Sequence, residues 1–404
     1  MKKIGLVVAI AGLCTCITRP TKEIFNVKGE VVETFYEETM DDKCVSEVNA
    51  LQIKAKAAYL MDFHTKTQLF SQNERAHLPI ASMCKIMTLL LAFDAIEEGV
   101  ISINEEISVS ERAASMGGSQ VFLEAHAKYP VKELIKSIVV CSANDSCVAM
   151  AERIAGAESL FVEKMNEKAK LLGANDTLFS NCTGLPKEPQ YSCAKDVAIM
   201  LSALLKHEQY FEFGKVWMDK FAHPKGRYTE ITNTNKLIRY YDGCDGGKTG
   251  FTNEAGFCLA ATALRGEMRV ISVVIGEETS ANRFDDTRTL FDYAFCNYSM
   301  QPVLSTEMPL EENCKVRGGK QEEVLIYPKR NVYALTKRGE KSNYTIEKRL
   351  YLVKAPVKKG ETIGEAILFK DGIEVDRVEL CAATDIQRAT VFDGVKKIAK
   401  EWNK

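Results

Sequence analysis

The chain of 404 residues is 46% hydrophobic and 27% charged, and its 53 basic and 55 acidic residues leave a net charge of −2. No global field would draw such a chain to DNA or RNA, so nucleic acid is set aside as a partner. The length allows more than one core, and the composition is that of an ordinary soluble fold.

At the N-terminus, Lys2-Lys3 precedes an apolar run from Ile4 to Leu13, too short to span a bilayer. A basic stretch followed by an apolar one reads as a secretory signal over residues 1–20, with cleavage after Ala11 or near Cys16. No later segment is long and apolar enough for a transmembrane helix. Thirteen cysteines are scattered along the chain, eleven of them beyond the signal. An odd number cannot all pair internally, and no Cys-x-x-Cys spacing marks a zinc site, so no metal is expected. Free thiols in an exported chain point to reducing surroundings.

Along the chain, Ala57 to Phe63 and Leu69-Phe70 read as a strand and its return. Apolar residues Ile86, Met87, Leu89, Leu90, Phe93 and Ile96 predict a helix over Met83 to Glu98, placing Ser82 at its first turn and Lys85 on the same face. Helices are predicted over Val131 to Val140, from Asp145 to about Ile154, over Ser159 to Leu172 and over Ala194 to Leu205. Gly256 to Ala263 and Met268 to Gly276 predict a strand pair turning at Arg265-Gly266-Glu267, followed by a helix over Phe284 to Phe295. Strands at both ends of a helical middle suit an antiparallel sheet covered by helices, an α+β domain over residues 35–298.

Beyond Met300 the composition changes. Strands over Glu323 to Tyr327, Asn331 to Ala334, Leu350 to Lys354, Ile367 to Phe369 and Ile373 to Leu380 predict a small all-β domain over residues 305–385. In residues 386–404, Val391, Val395, Ile398, Ala399 and Trp402 follow helical spacing. Five basic and two acidic residues there give +3. This predicts an amphipathic helix lying on an anionic membrane surface, the alternative being a terminal helix packed on the β-domain.

Three separated segments carry chemistry: Ser82-Met83-Cys84-Lys85, Ser142-Ala143-Asn144 and Lys248-Thr249-Gly250. A serine hydroxyl is a poor nucleophile unless a base takes its proton. Lys85 can be that base if desolvation or a neighbouring charge, such as that of Lys248, holds it deprotonated. Ser142 would then carry the proton toward a leaving amine, with Lys248 beside it. Asn144 would hold the substrate amide and orient Lys85. Lys248-Thr249-Gly250 precedes a strand pair and suits an exposed sheet edge. Gly250 there permits close substrate approach, and the Thr249 hydroxyl can receive a carboxylate. The backbone amides of Ser82 and Phe251 are the oxyanion-hole candidates.

The segments Pro79-Ile80-Ala81-Ser82-Met83-Cys84-Lys85-Ile86-Met87-Thr88, Ser142-Ala143-Asn144-Asp145 and Asp245 to Gly256 resemble those of the low-molecular-mass penicillin-binding D-alanyl-D-alanine carboxypeptidases. Gly173-Ala174, Asn181, Gly184-Leu185-Pro186 and Thr234-Asn235-Lys236-Leu237 extend the likeness to roughly residues 45–385. The resemblance implies a β-lactamase/transpeptidase-like domain with a helical subdomain, followed by the C-terminal β-domain. It implies a cofactor-free enzyme that removes the terminal D-alanine from peptidoglycan stem pentapeptides through an acyl-enzyme on Ser82. β-Lactams would be covalent inhibitors. Thr249 would contact the terminal carboxylate, and Arg283 matches a family arginine that binds the same region. The resemblance also implies an exported enzyme on the outer face of the cytoplasmic membrane, tethered by its C-terminal helix. Cys84 stands where threonine is common; it reads either as a buried small residue or as a reactive thiol that would make activity sensitive to oxidation. Glu124-Ala125-His126 replaces a Gly-Glu turn. A serine β-lactamase and a non-catalytic wall-binding scaffold are the alternatives, and transfer to amine acceptors would use nearly the same residues.

Overall fold

The computed structural model describes residues 51–393. The signal read in residues 1–20 lies outside them, as do residues 394–404. The described chain forms two compact units. One runs to Val303 and includes Tyr333–Glu340; the other comprises Leu304–Val332 and the residues from Lys341 onward.

The first unit is built on an antiparallel sheet of five strands: β1 (Ala57–Asp62), β2 (Gln68–Gln72), β3 (Cys244–Thr252), β4 (Gly256–Arg265) and β5 (Met268–Glu277), in the order β2-β1-β5-β4-β3. Every residue of β1 and β5 is buried, as a strand covered on both faces requires. Their side chains alternate between two cores. Tyr59, Met61, Ile271, Val273 and Ile275 join the helical middle of the chain. Ala58, Leu60, Val270 and Val274 pack instead with Phe284, Leu290 and Phe291 of the C-terminal helix of the unit, Ser280–Asn297. Phe291 is fully buried there. Phe291→Ala is therefore expected to cost about 3–5 kcal/mol, read as a lowered urea midpoint at unchanged slope.

Helix α1 (Lys85–Glu97) is the hub of the helical middle. It is buried nearly all round, which is why its apolar residues outnumber a single stripe. It ends where Gly99 takes a φ of +73°. Helices α2 (Val131–Cys141), α3 (Asn144–Ala155), α4 (Glu158–Leu171) and α5 (Ala194–Leu204) surround it. The hairpin Met218–Ala222 with Tyr228–Thr232 was not predicted. Four of five positions in Met218–Ala222 are exposed, so it lacks the apolar alternation that announces a half-buried strand.

The second unit is all-β among its sheets. The strands Ile326–Pro328, Ile373–Ala382, Thr362–Lys370 and Tyr344–Leu350 form one sheet in that order. A smaller sheet joins Glu323–Val324, Cys314–Arg317 and Val353–Lys354. The strand predicted over Leu350 to Lys354 is observed only as Val353–Lys354, and the longer strand Tyr344–Leu350 was not predicted. Its mixture of Thr345, Glu347, Lys348 and Arg349 shows little apolar pattern.

The expected tether is corrected, while most of the amphipathic helix read in residues 386–404 lies outside the described residues. Among the described residues no helix is long and apolar enough to cross a membrane. The 18-residue helix Ser280–Asn297 carries Arg283, Asp285, Asp286, Arg288 and Asp292, which hydrocarbon would not accept. Of the stretch 386–404, residues 386–393 are described: Ile386 and Arg388 form isolated bridges with Val357 and Gly319, and Val391 and Phe392 are exposed.

Candidate active site

Ser82 lies in the single 3-10 turn Ala81–Cys84 that leads into α1. Ala81 carries a φ of +46°, an unfavourable region for a residue with a Cβ, and such strain persists only where neighbours enforce it. Two glycines do so. A Cβ on Gly184, itself at φ +80°, would fall 2.0 Å from the Ala81 carbonyl oxygen, and one on Gly250 would fall 2.6 Å from that of Ile80. The turn is thus clasped between the segment ending at Gly184 and the strand β3. Asn181 builds the first of these, its Oδ1 accepting from the amides of Thr183 at 3.1 Å and Gly184 at 2.7 Å. On the expectation that Ser82 is the nucleophile, Gly184→Ala should misplace this turn and lower the rate of acylation about 100-fold, measured by stopped-flow with a chromogenic β-lactam.

Lys85 begins α1 and is fully buried. Its ammonium donates to Ser82 Oγ at 2.9 Å and to the Thr183 carbonyl at 2.6 Å. Burial holds its pKa below the ordinary 10.5. Lys248, on β3 and 2% exposed, is held well below its ordinary value, first by burial and then by the charge of Lys85. Its ammonium donates to the Thr249 carbonyl at 3.0 Å. Two lysines within electrostatic range in a dry pocket resist carrying two protons, so they titrate as a pair.

Ser142 caps the C-terminus of α2 in a left-handed conformation, φ +67° and ψ +31°. Asn144 opens α3, so the two polar side chains sit in the connection between the helices. The Asn144 side-chain amide donates to the Gly117 carbonyl at 2.7 Å, and its backbone amide to that of Ser119 at 2.7 Å. Ser142 Oγ and Asn144 Oδ1 are buried without a protein partner. Asp145 anchors the same loop, accepting from the amides of Val121 and Leu123 at 3.1 Å each. The Glu124-Ala125-His126 segment follows these anchors, with His126 at φ +63°.

Thr249 Oγ1 donates to Thr234 Oγ1 at 2.7 Å, and the Thr234 amide donates to the Val140 carbonyl at 3.0 Å. Those two bonds join β3 to the helix that carries Ser142. Arg283 reaches β3 from behind, donating to the Gly250 carbonyl at 3.3 Å; burial lowers its pKa to about 10. Phe251 is half exposed and stacks on Phe257, with ring centroids 4.3 Å apart.

Ser82 and Lys85 are thus in direct contact, and Lys248 lies close enough for the Lys85 charge to depress its pKa. Thr249, Gly250 and Phe251 lie on the strand that clasps the nucleophile turn, and Arg283 bonds that strand. The carbonyls of Thr183 and Gly117 were invisible in the sequence, since a backbone oxygen carries no residue signature. Thr234 and Asn181 stood in recognisable segments, but without an assigned role. Cys84 is fully buried, and its thiol donates to the Asn181 carbonyl at 3.3 Å. Burial raises its pKa far above the ordinary thiol range, so the expected oxidation sensitivity has no thiolate to start from. Away from the site, two clusters of metal-type donors occur. In Asp94, Glu97 and His207, Lys168 already pairs with Asp94. In Asp176, Cys193 and Asp196, Asp196 already accepts from the Asp176 amide and the Thr177 hydroxyl.

Comparison with known proteins yields a family model, described as D-alanyl-D-alanine carboxypeptidase, over residues 44–279. A second, described as penicillin-binding protein 5, C-terminal domain, matches residues 298–388. The D-alanyl-D-alanine carboxypeptidase DacF of Bacillus subtilis is 39% identical over 90% of this chain and 93% of its own. DacC of Escherichia coli is 29% identical over 86% and 88%. Among solved structures, penicillin-binding protein 5 from Haemophilus influenzae superposes with a TM-score of 0.66 at 28% identity, covering 83% of this chain and 98% of its own. Penicillin-binding protein D2 from Listeria monocytogenes in its ampicillin-bound form gives 0.55 at 31%, covering 61% and 99%.

Proposed function

The chain belongs to the D-alanyl-D-alanine carboxypeptidase family, and from that premise we infer that Ser82 carries the acyl group when the enzyme removes the terminal D-alanine of peptidoglycan stem peptides. The observation that carries this reading is the 2.9 Å contact between Ser82 Oγ and the fully buried Lys85 ammonium.

The substrate backbone lies along the free edge of β3, with its terminal carboxylate at Thr249 and Thr234. Lys85, in its neutral form, takes the Ser82 proton as Oγ attacks the penultimate D-alanine carbonyl. The amides of Ser82 and Phe251 receive the developing oxyanion. Ser142 relays a proton to the departing D-alanine nitrogen, with Lys248 beside it. Asn144 holds the substrate amide. Arg283 acts from behind the strand, fixing Gly250 and adding positive potential at the carboxylate end. Water then cleaves the ester at Ser82. β-Lactams enter the same route and stop at the acyl-enzyme.

The test is release of D-alanine from a stem pentapeptide with and without an added amine. Release to water in both cases is the expected result. Transfer to the amine in place of hydrolysis would assign a transpeptidase, and no release at all would defeat the reading.

A further inference from the structure

The free edge of β3 is closed at one point by a side chain outside the catalytic set. In an antiparallel ladder the N–H and C=O of alternate residues point to the same edge, so Gly247, Thr249 and Phe251 present their backbone groups together. The Gly247 amide donates to Tyr210 Oη at 2.9 Å, and the same hydroxyl lies 3.5 Å from the Gly247 carbonyl. One phenol thus engages both groups that a pairing strand would use.

The phenol is also fixed in place. Tyr210 opens the short helix Tyr210–Gly214, is 1% exposed, and meets the rings of Phe93 and Phe211 edge to face. On the strand side, a Cβ on Gly246 would fall 2.9 Å from its ring. Two residues further along, Thr249 carries the hydroxyl bonded to Thr234.

We propose that Tyr210 is a specificity-determining residue that ends the substrate-pairing edge of β3 at Thr249. A peptide antiparallel to β3 runs with its C-terminus toward Gly247. A residue beyond the one opposite Thr249 would need the Gly247 amide and carbonyl, which Tyr210 occupies. The substrate class is therefore peptides whose scissile bond precedes a single terminal residue bearing a free carboxylate. The inference rests on the carboxypeptidase reading of the same site.

The experiment compares kcat/KM for an acyl-D-Ala-D-Ala peptide and the same peptide extended by one glycine, in the wild type, Tyr210→Phe and Tyr210→Leu. The wild type should favour the unextended peptide by at least about 100-fold. Tyr210→Phe, losing both contacts of the hydroxyl with Gly247, should reduce that preference about threefold to tenfold, and Tyr210→Leu, opening the edge, by more. An unchanged ratio in folded variants overturns the proposal. Hydrogen exchange on the wild type decides the matter if the variants fail to fold. The Gly247 amide should exchange far more slowly than the Thr249 amide, and equal rates overturn the closure. A wild type that releases no D-alanine defeats the functional reading instead, and the exchange result still decides on Tyr210.

Discussion

Ser82→Ala is expected to abolish acylation by penicillin and to lower D-alanine release by at least ~10⁴-fold, because among the described residues Ser82 supplies the one hydroxyl bonded to Lys85, the proposed base. The Lys85 ammonium donates to Ser82 Oγ and to a carbonyl, not to Ser142. The buried Ser142 Oγ has no protein partner to activate it. The variant should fold normally, since deleting one hydroxyl leaves Lys85 bonded to Thr183. Thermal melting checks this, and rapid-quench acylation with labelled penicillin measures the loss. A variant acylated at the wild-type rate would remove Ser82 from the mechanism.

Lys85→Met should cost about 10²–10⁴-fold in acylation, the range for losing a positioned general base. Methionine keeps most of the buried volume, so the loss is chemical more than structural. The pH dependence gives an independent check. Lys85 acts as base in its neutral form, and burial holds its pKa below 10.5. The neutral fraction therefore grows as pH rises, so with Lys85 as the proposed base log kcat/KM should climb and then level off at an apparent pKa below 10.5. That value belongs to the Lys85 and Lys248 pair, since each proton affects the other. In Lys85→Met the residual activity should lose this limb or shift it. A wild-type limb still climbing past 10.5 would show that Lys85 is not the base.

The strongest local patterns translated directly into structure. The apolar density of Ile86 to Phe93 foretold a buried helix, observed as Lys85–Glu97, and the strand pair around Gly266 appeared as Gly256–Arg265 and Met268–Glu277. The 3-10 turn at Ala81–Cys84 was not foreseen, because its left-handed Ala81 is imposed by Gly184 and Gly250 from distant segments. Strands rich in charge, such as Tyr344–Leu350, escaped because Lys348 interrupts the alternation of Tyr344, Ile346 and Leu350 with polar residues. At the site, residue types pointed to Ser82, Lys85 and Lys248, which the fold brings together, whereas the partners that fix them are often backbone atoms. Thr183 and Gly117 contribute carbonyls, which any residue type could supply. Of the two readings of Cys84, complete burial selects the buried small residue, a choice the sequence left open.

The role of Ser82 meets its most direct test in locating the covalent bond. The wild type is incubated with a labelled penicillin, quenched, digested and mapped by mass spectrometry. A single stable adduct on the Ser82 hydroxyl is the predicted result. A stable adduct at Ser142 or on a cysteine, with Ser82 unmodified, would contradict the account.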